Sequence, residues 1–117
     1  MRWMTELGPV SSSLACFTEA YRAITLAHAP DPTSAQETFD EDWRGIFAIQ
    51  VDMSIVRRAG VLAVSYRLRT PDAIHLASAE AILGPDLRFA TWDRRLWTAA
   101  RSHGLEVLPA TEPGLPR

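Results

Sequence analysis

The chain has 117 residues, of which 47% are hydrophobic and 22% charged, and its formal net charge is −2. These values predict one globular domain over residues 1–108 with a frayed Pro-rich tail over 109–117. They exclude a disordered chain and a global basic field for nucleic acid, while hydrophobic runs of at most four residues fall short of the roughly 20 in a membrane span.

The beginning of the chain predicts a helix end, a strand and a long helix. Residues Arg2–Leu7 predict the last turn of a helix, which Gly8-Pro9 ends. Val10–Ser12 predicts a short strand. The apolar spacing after it predicts a helix over Leu14–Ala27, with Ser12 or Ser13 as its N-cap. No signal peptide is visible, and the single cysteine fits a reducing cytoplasm.

The middle of the chain predicts a second helix and a buried strand. A loop over His28–Thr33 holds two prolines. Ser34 is then predicted to cap a helix over Ala35–Arg44, with Glu37 completing a capping box. The apolar, partly β-branched segment Ile46–Val51 predicts a buried strand.

Two helices are predicted next. Asp52 or Ser54 caps a helix that extends to Tyr66. Thr70-Pro71 opens the following helix, which is predicted to end at Leu83 because a Gly-Pro pair follows.

The last predicted elements complete an alternation of strands and helices. Arg88–Trp92 predicts a strand, and Arg94–His103 predicts a helix with Gly104 as its stop. Leu105–Leu108 predicts a final strand. Short strands joined by helical crossovers indicate an α/β fold with a parallel sheet covered on both faces. Ligands of such sheets bind beyond the carboxyl ends of the strands.

Two aspartates lie where that rule places a ligand site, and both have a structural alternative. Asp93 directly follows a predicted strand, but it is also a suitable N-cap for the helix beginning at Arg94. Asp72 lies in the first turn of the helix opened by Thr70-Pro71, where the helix dipole stabilises a carboxylate. The residues alone favour the cap for Asp93 and leave both roles open for Asp72.

Glu19 points away from the apolar stripe of its helix, onto a face of small uncharged residues. A solvated face normally carries several charges, so we expect Glu19 to be enclosed. An enclosed carboxylate needs a partner, either in a functional site or from a core-facing Arg. The stripe contains Leu14, Phe17, Tyr21 and Ile24, and the small face contains Ala15, Cys16, Ala20 and Ala23.

Other chemistries find less support in the sequence. His75 lies at i+3 from Asp72, which fits either a metal pair or a packed histidine. His28 and His103 lie near helix ends without ligand-like companions, and a structural zinc site is not expected. There is no Gly-rich phosphate loop, and Ser11–Ser13 lacks the G-x-S-x-G setting of a hydrolase.

Three segments, taken in order, resemble the PIN-domain ribonucleases of the VapC toxin family. They are Val10–Ile24, Leu68–Ala79, which is the most specific, and Leu87–Leu96, which is followed by a closing Gly104–Val107. The resemblance spans nearly all of Met1 to Leu108.

This resemblance implies a three-layer sandwich whose parallel sheet gathers four acidic residues around Mg²⁺ or Mn²⁺ to cleave RNA. Glu19, Asp72 and Asp93 match three of the four, as catalytic residues and metal ligands, and Thr91 matches a supporting Ser or Thr. The fourth acidic residue ends the first, central strand of the family's sheet. We expect that strand and its Asp to be absent, because the matching segments begin after them.

The implied function is a metal-dependent endoribonuclease toxin of a type II toxin-antitoxin system, impaired by the missing ligand. It would act on RNA, bind an antitoxin-like protein and form a homodimer, with no membrane partner. The alternative is an inactive PIN-like module that binds an antitoxin-type partner or RNA without cleaving it.

Arg69, Arg94 and Arg95 flank the acids and suit phosphate contacts. All twelve cations are Arg, so ordinary surface charge from a GC-rich gene explains them equally well.

Overall fold

The structure is a computed structural model that describes residues 10–113. Its packing divides into two compact units, with the boundary between Val51 and Asp52. The helix turn predicted over Arg2–Leu7 and its Gly8-Pro9 stop lie outside the described residues. The single domain predicted over residues 1–108 stays a prediction.

Four strands and five helices alternate in the described part of the chain. The strands are β1 (Val10–Ser13), β2 (Ile46–Ile49), β3 (Arg88–Ala90) and β4 (Glu106–Leu108). The helices are α1 (Ala15–Ala27), α2 (Thr33–Arg44), α3 (Met53–Tyr66), α4 (Thr70–Ala81) and α5 (Arg94–Ser102). The predicted order of elements and the α/β class are confirmed.

β2 and β3 end earlier than predicted, and β4 begins at Glu106 rather than Leu105. β2 ends at Ile49 and β3 at Ala90, whereas the predictions extend to Val51 and Trp92. The reason is the same in both places. An aspartate three residues beyond each strand already serves as the N-cap of the next helix, and the residues between must turn toward it.

The first unit joins two parallel strands through two helices. β1 pairs with β2 from Val10 opposite Ile46 to Ser13 opposite Ile49. The backbone N–H of Leu14 continues the pairing by donating to the carbonyl of Ile49 at 2.9 Å. Parallel neighbours cannot be joined by a tight hairpin, so α1 and α2 supply the crossover.

Aromatic rings hold α1 against α2. The ring centroid of Phe17 lies 5.2 Å from that of Phe39 and 5.3 Å from that of Trp43. Phe39 is buried, and Tyr21 stacks on Phe17. Such ring pairs add roughly 0.5–1.5 kcal/mol each beyond their burial. The apolar stripe predicted for α1 therefore packs against α2.

The capping predictions in this unit are only partly right. Leu14 is the N-cap of α1, and the Ser13 hydroxyl accepts a hydrogen bond from the N–H of Ala15 at 3.2 Å. The capping box predicted for Ser34 and Glu37 is wrong, because α2 already begins at Thr33. The N-cap residue is Pro32, and the carboxylate of Asp31, one residue before it, accepts from the N–H of Thr33 at 3.3 Å.

In the second unit, β3 and β4 pair in parallel, and the crossover helix α5 connects them in the chain. Arg88 lies opposite Glu106 and Ala90 opposite Leu108. Gly104 follows the C-cap of α5 with a φ of +93°, a left-handed conformation that favours glycine. The predicted stop at Gly104 is confirmed.

The core of the second unit lies between its helices. Leu62 of α3 and Leu76 of α4 are almost completely buried, together with Leu96 and Trp97 of α5. The indole N–H of Trp97 donates to the carbonyl of Pro109 at 2.7 Å, which satisfies a buried donor and attaches the start of the predicted tail to α5. The start of the predicted tail is therefore held against α5 by this hydrogen bond.

Each unit holds a two-stranded parallel sheet. The parallel pairing agrees with the sequence prediction. The three-layer sandwich around one sheet, and the absence of its first strand, stay predictions. None of the helices that the structure describes is long and apolar enough to cross a lipid bilayer.

Candidate functional site

Asp93 lies beyond the carboxyl end of β3 and begins α5. Its Oδ1 accepts from the backbone N–H of Leu96 at 2.8 Å, which confirms the predicted N-cap. The N–H of Asp93 in turn donates to the Thr91 hydroxyl at 3.1 Å. Thr91 therefore holds the backbone of Asp93 directly, and the side chain of Asp93 remains 41% exposed.

Asp72 lies in the first turn of α4, as predicted. Its side chain is only 13% exposed. The Nε and Nη2 atoms of Arg69, the N-cap residue of α4, both lie 3.4 Å from Asp72 Oδ2. A carboxylate with this degree of burial needs such donors, and the positive end of the helix dipole adds to their effect.

Arg69 contacts two aspartates of the second unit, Asp72 and Asp93. Its Nη2 atom lies 3.4 Å from Asp72 Oδ2 and 3.7 Å from Asp93 Oδ2. Neighbouring carboxylates repel each other unless a cation lies between them. Carboxylate oxygens are also the kind of donor that Mg²⁺ and Mn²⁺ prefer, and Asp72 and Asp93 would supply two of them.

Glu19 lies in α1 of the first unit and is exposed. The expectation that it is enclosed is therefore wrong. Ala23 on the same face is also exposed, whereas Ala15, Cys16 and Ala20 are half-buried. The convergence of Glu19 with Asp72 and Asp93 stays a prediction, because Glu19 belongs to the other unit.

The remaining acids and histidines do not extend the aspartate pair into a metal cluster within the second unit. Among its described residues, no three His, Cys, Asp or Glu side chains form a group that could hold an ion. His75, on the same helix as Asp72, is half-buried.

A second charged cluster was not visible in the sequence. Glu80 of α4 accepts from Arg58 of α3, with Nε at 2.6 Å and Nη2 at 2.9 Å. The Nε2 atom of His103 contacts the same carboxylate, and the Tyr66 hydroxyl lies 3.0 Å from His103 Nδ1. His103 therefore has hydrogen-bond partners from two other helices, which only the fold brings near.

Hydrogen bonds from Arg58 hold the pKa of Glu80 below its ordinary value. Partial burial acts in the opposite direction, and the hydrogen bond with His103 lowers the pKa further. The cluster links α3, α4 and the end of α5. On this geometry it holds the three helices together.

Further arginines surround Asp93. Arg94 donates from Nε to Glu112 Oε1 at 2.7 Å. Arg95 donates from Nη1 to the backbone carbonyl of Arg67 at 3.4 Å, an uncharged acceptor. Trp92, immediately before Asp93, is 76% exposed. These three residues adjoin Asp93 in the chain, whereas Arg69 is the arginine whose guanidinium contacts the aspartate pair.

The chain is similar in sequence to curated ribonucleases of Mycobacterium tuberculosis. It is 40% identical to ribonuclease VapC45 of strain CDC 1551 / Oshkosh and to ribonuclease VapC49 of strain ATCC 25618 / H37Rv, in each case over 76 residues. That match covers 65% of this chain and 53% of each relative. Ribonuclease VapC46 of strain H37Rv is 44% identical over 61 residues, which are 51% of this chain and 45% of that protein.

The chain thus spans about half the length of the curated relatives it matches. No protein-family model and no solved structure matches it. The resemblance to VapC ribonucleases is confirmed.

Proposed function

We propose that this chain, as a relative of the VapC ribonucleases, belongs to a metal-dependent endoribonuclease toxin of a toxin-antitoxin system. RNA is its substrate and an antitoxin-type protein its partner, in the cytoplasm. The observation that carries the proposal is the pair of carboxylates, Asp72 and Asp93, that share the Arg69 guanidinium. The sequence similarity to ribonucleases over 76 residues supports it.

Asp72 and Asp93, with Glu19 as a third ligand, are the residues that would hold Mg²⁺ or Mn²⁺. When bound, such an ion orients a water molecule and neutralises charge at the scissile phosphate. Because Asp93 Oδ1 is committed to the N–H of Leu96, Oδ2 is left to face Arg69 and a ligand. Thr91 supports this orientation by accepting the N–H of Asp93.

Arg69 has two roles in this proposal. With no other cation present, its guanidinium neutralises the aspartate pair. Its side chain is 75% exposed, so it can turn toward a phosphate of bound RNA. Guanidinium groups form paired hydrogen bonds with phosphate oxygens, and Arg94 and Arg95, which follow Asp93 in the chain, are proposed to add further contacts.

The 117-residue chain by itself is proposed to cleave RNA weakly. In the three-layer sandwich that the resemblance implies, a central strand carries a fourth acidic ligand for which these 117 residues offer no match. Each carboxylate removed from a site weakens its attraction for a divalent cation and its hold on the attacking water. We also propose that the protein forms a homodimer.

An inactive RNA-binding or antitoxin-binding module is the second candidate function. Arg69 already neutralises the two carboxylates, and an arginine in that place suits phosphate binding without metal chemistry. The two candidates differ in whether cleavage depends on a divalent cation and on Asp93.

The experiment compares digestion of one structured RNA by the 117-residue chain and by a chain extended with the relatives' N-terminal strand. Each reaction is run with Mg²⁺, with Mn²⁺ and with EDTA. Asp93→Asn tests the site, because the amide keeps an oxygen for the Leu96 N–H. Asp86→Asn is the matched control, since Asp86 is an exposed aspartate of the same unit.

We expect little cleavage by the short chain and EDTA-sensitive cleavage by the extended chain, lost in Asp93→Asn and kept in Asp86→Asn. Strong EDTA-sensitive cleavage by the short chain would contradict the proposed impairment. Retention of RNA binding with no cleavage by either chain would favour the inactive module.

A further inference from the structure

Trp92 is the exposed aromatic residue of the site. Its side chain is 76% exposed, whereas Trp97, five residues later, is buried and hydrogen-bonded. Tryptophan has a large apolar surface that normally packs in a core or an interface. Exposure alone does not define a site, but two further features bear on this one.

The first feature is a rigid backbone on both sides of Trp92. The N–H of Thr91 donates to the carbonyl of Leu108 at 3.0 Å, and the N–H of Asp93 donates to the Thr91 hydroxyl at 3.1 Å. The carboxylate of Asp93 is fixed in turn by Leu96. A side chain presented from a rigid turn loses little further freedom when it binds a ligand.

The second feature is the charge around Trp92. Asp93 and Arg94 follow it in the chain, and Arg69 lies within 3.7 Å of Asp93 Oδ2. Arg95 adds a guanidinium that donates to the backbone carbonyl of Arg67 rather than to a carboxylate. Proteins bind single-stranded RNA with this combination, in which arginines contact the backbone and an aromatic ring stacks on a base.

We propose that Trp92 stacks on an unpaired base of the RNA, next to the phosphate that faces Asp72 and Asp93. This inference rests on the proposed function, because it takes RNA as the ligand. It further specifies the substrate as RNA with an unstacked base beside the site. In a duplex both faces of each base are covered by its neighbours, so the indole has no face to stack on.

The test measures binding to the 117-residue chain in EDTA, which prevents metal-dependent cleavage. The probes are a fluorescently labelled RNA with no self-pairing, the same RNA annealed to its complement, and the same backbone with abasic residues. The variants are Trp92→Ala and Trp92→Phe. Phe47→Ala is the matched control, since Phe47 is an aromatic residue of β2 that is 67% exposed.

We expect Trp92→Ala to weaken binding of the single strand by roughly 5- to 150-fold, which corresponds to the ~1–3 kcal/mol of one base–aromatic stack. Trp92→Phe should retain most of the affinity, and Phe47→Ala all of it. Duplex and abasic RNA should bind wild type and Trp92→Ala equally. Quenching of tryptophan emission by the single strand should be smaller in Trp92→Phe than in wild type.

The inference is overturned if wild type and Trp92→Ala bind the single strand equally, or if wild type binds no RNA. It is also overturned if Trp92→Ala weakens binding to abasic RNA as much as to intact RNA. Self-association lost in Trp92→Ala, with RNA binding unchanged, would assign the indole to a protein interface instead.

Failure of the inference and failure of the proposed function are distinguishable. If metal-dependent cleavage requires Asp93 but not Trp92, the proposed function would hold and the inference about Trp92 would be wrong. If RNA binding depends on Trp92 and on the base, but even the extended chain does not cleave RNA, the inference about Trp92 would hold and the proposed ribonuclease function would be wrong.

Discussion

The carboxylate of Asp93 accepts a hydrogen bond at 2.8 Å from the backbone N–H of Leu96 through Oδ1. Its other oxygen, Oδ2, lies 3.7 Å from Arg69 Nη2. From the sequence, the N-cap and the ligand site are alternative roles for this residue. In the structure they are compatible, because each role uses a different oxygen. The cap also fixes the direction in which Oδ2 points.

Asp93→Ala and Asp93→Asn should separate these two roles. Alanine removes the cap, and we expect the free energy of unfolding to fall by about 1 kcal/mol. Asparagine keeps an oxygen for the Leu96 N–H and should change stability by much less. Urea denaturation of both variants measures the difference. Equal destabilisation by the two substitutions would contradict the cap as the main contribution of Asp93 to stability.

Replacing Arg69 should make room for a divalent cation. In Arg69→Gln the carboxylates of Asp72 and Asp93 lose the positive group they share. We expect Mn²⁺ to bind up to about fivefold more tightly, since an ion pair this exposed contributes up to ~1 kcal/mol. Isothermal titration with Mn²⁺ tests this, with Arg67→Gln as the exposed-arginine control. Unchanged or weaker Mn²⁺ binding by Arg69→Gln would show that Arg69 does not compete with the ion.

The charged cluster of Arg58, Glu80 and His103 should make the free energy of unfolding depend on pH in the acidic range. Arg58 holds the folded-state pKa of Glu80 below the ordinary value of 4.5. The ionised carboxylate therefore stabilises the fold fully above pH 4.5, and this contribution is lost as the pH falls through the lowered folded-state pKa. Wild type should be more stable than Glu80→Gln near neutral pH, and the difference should shrink below pH 4.5.

Thermal unfolding of the two proteins across this pH range measures the effect, with Glu106→Gln as an exposed-glutamate control. A stability difference that stays constant from neutral to strongly acidic pH would mean that the charge of Glu80 is not its source.

The contact between α3, α4 and α5 should carry much of the stability of the second unit. Leu76 is completely buried in this core. We expect Leu76→Ala to lower the free energy of unfolding by roughly 2–5 kcal/mol, through lost burial and the cavity left behind. Leu83→Ala, at an exposed position, should change it little. A small effect of Leu76→Ala in urea denaturation would show that the surrounding helices close the cavity.

The sequence by itself determined the features that depend on neighbouring residues. The order of strands and helices, the caps at Asp52 and Asp93 and the stop at Gly104 were all predicted, because a cap or a left-handed turn involves residues within one helical turn. The resemblance to VapC ribonucleases was likewise carried by short segments.

The tertiary structure decided the features that depend on residues far apart in the chain. The sharing of Arg69 between Asp72 and Asp93 joins the start of α4 to the start of α5. The pair formed by Arg58 and Glu80 spans 22 positions. No periodic pattern of residues in the sequence predicts contacts between positions so far apart in the chain. Glu19 was misjudged for the same reason: small neighbours on a helix face are equally compatible with an enclosed face and an open one, and only the packing of the whole unit chooses between them.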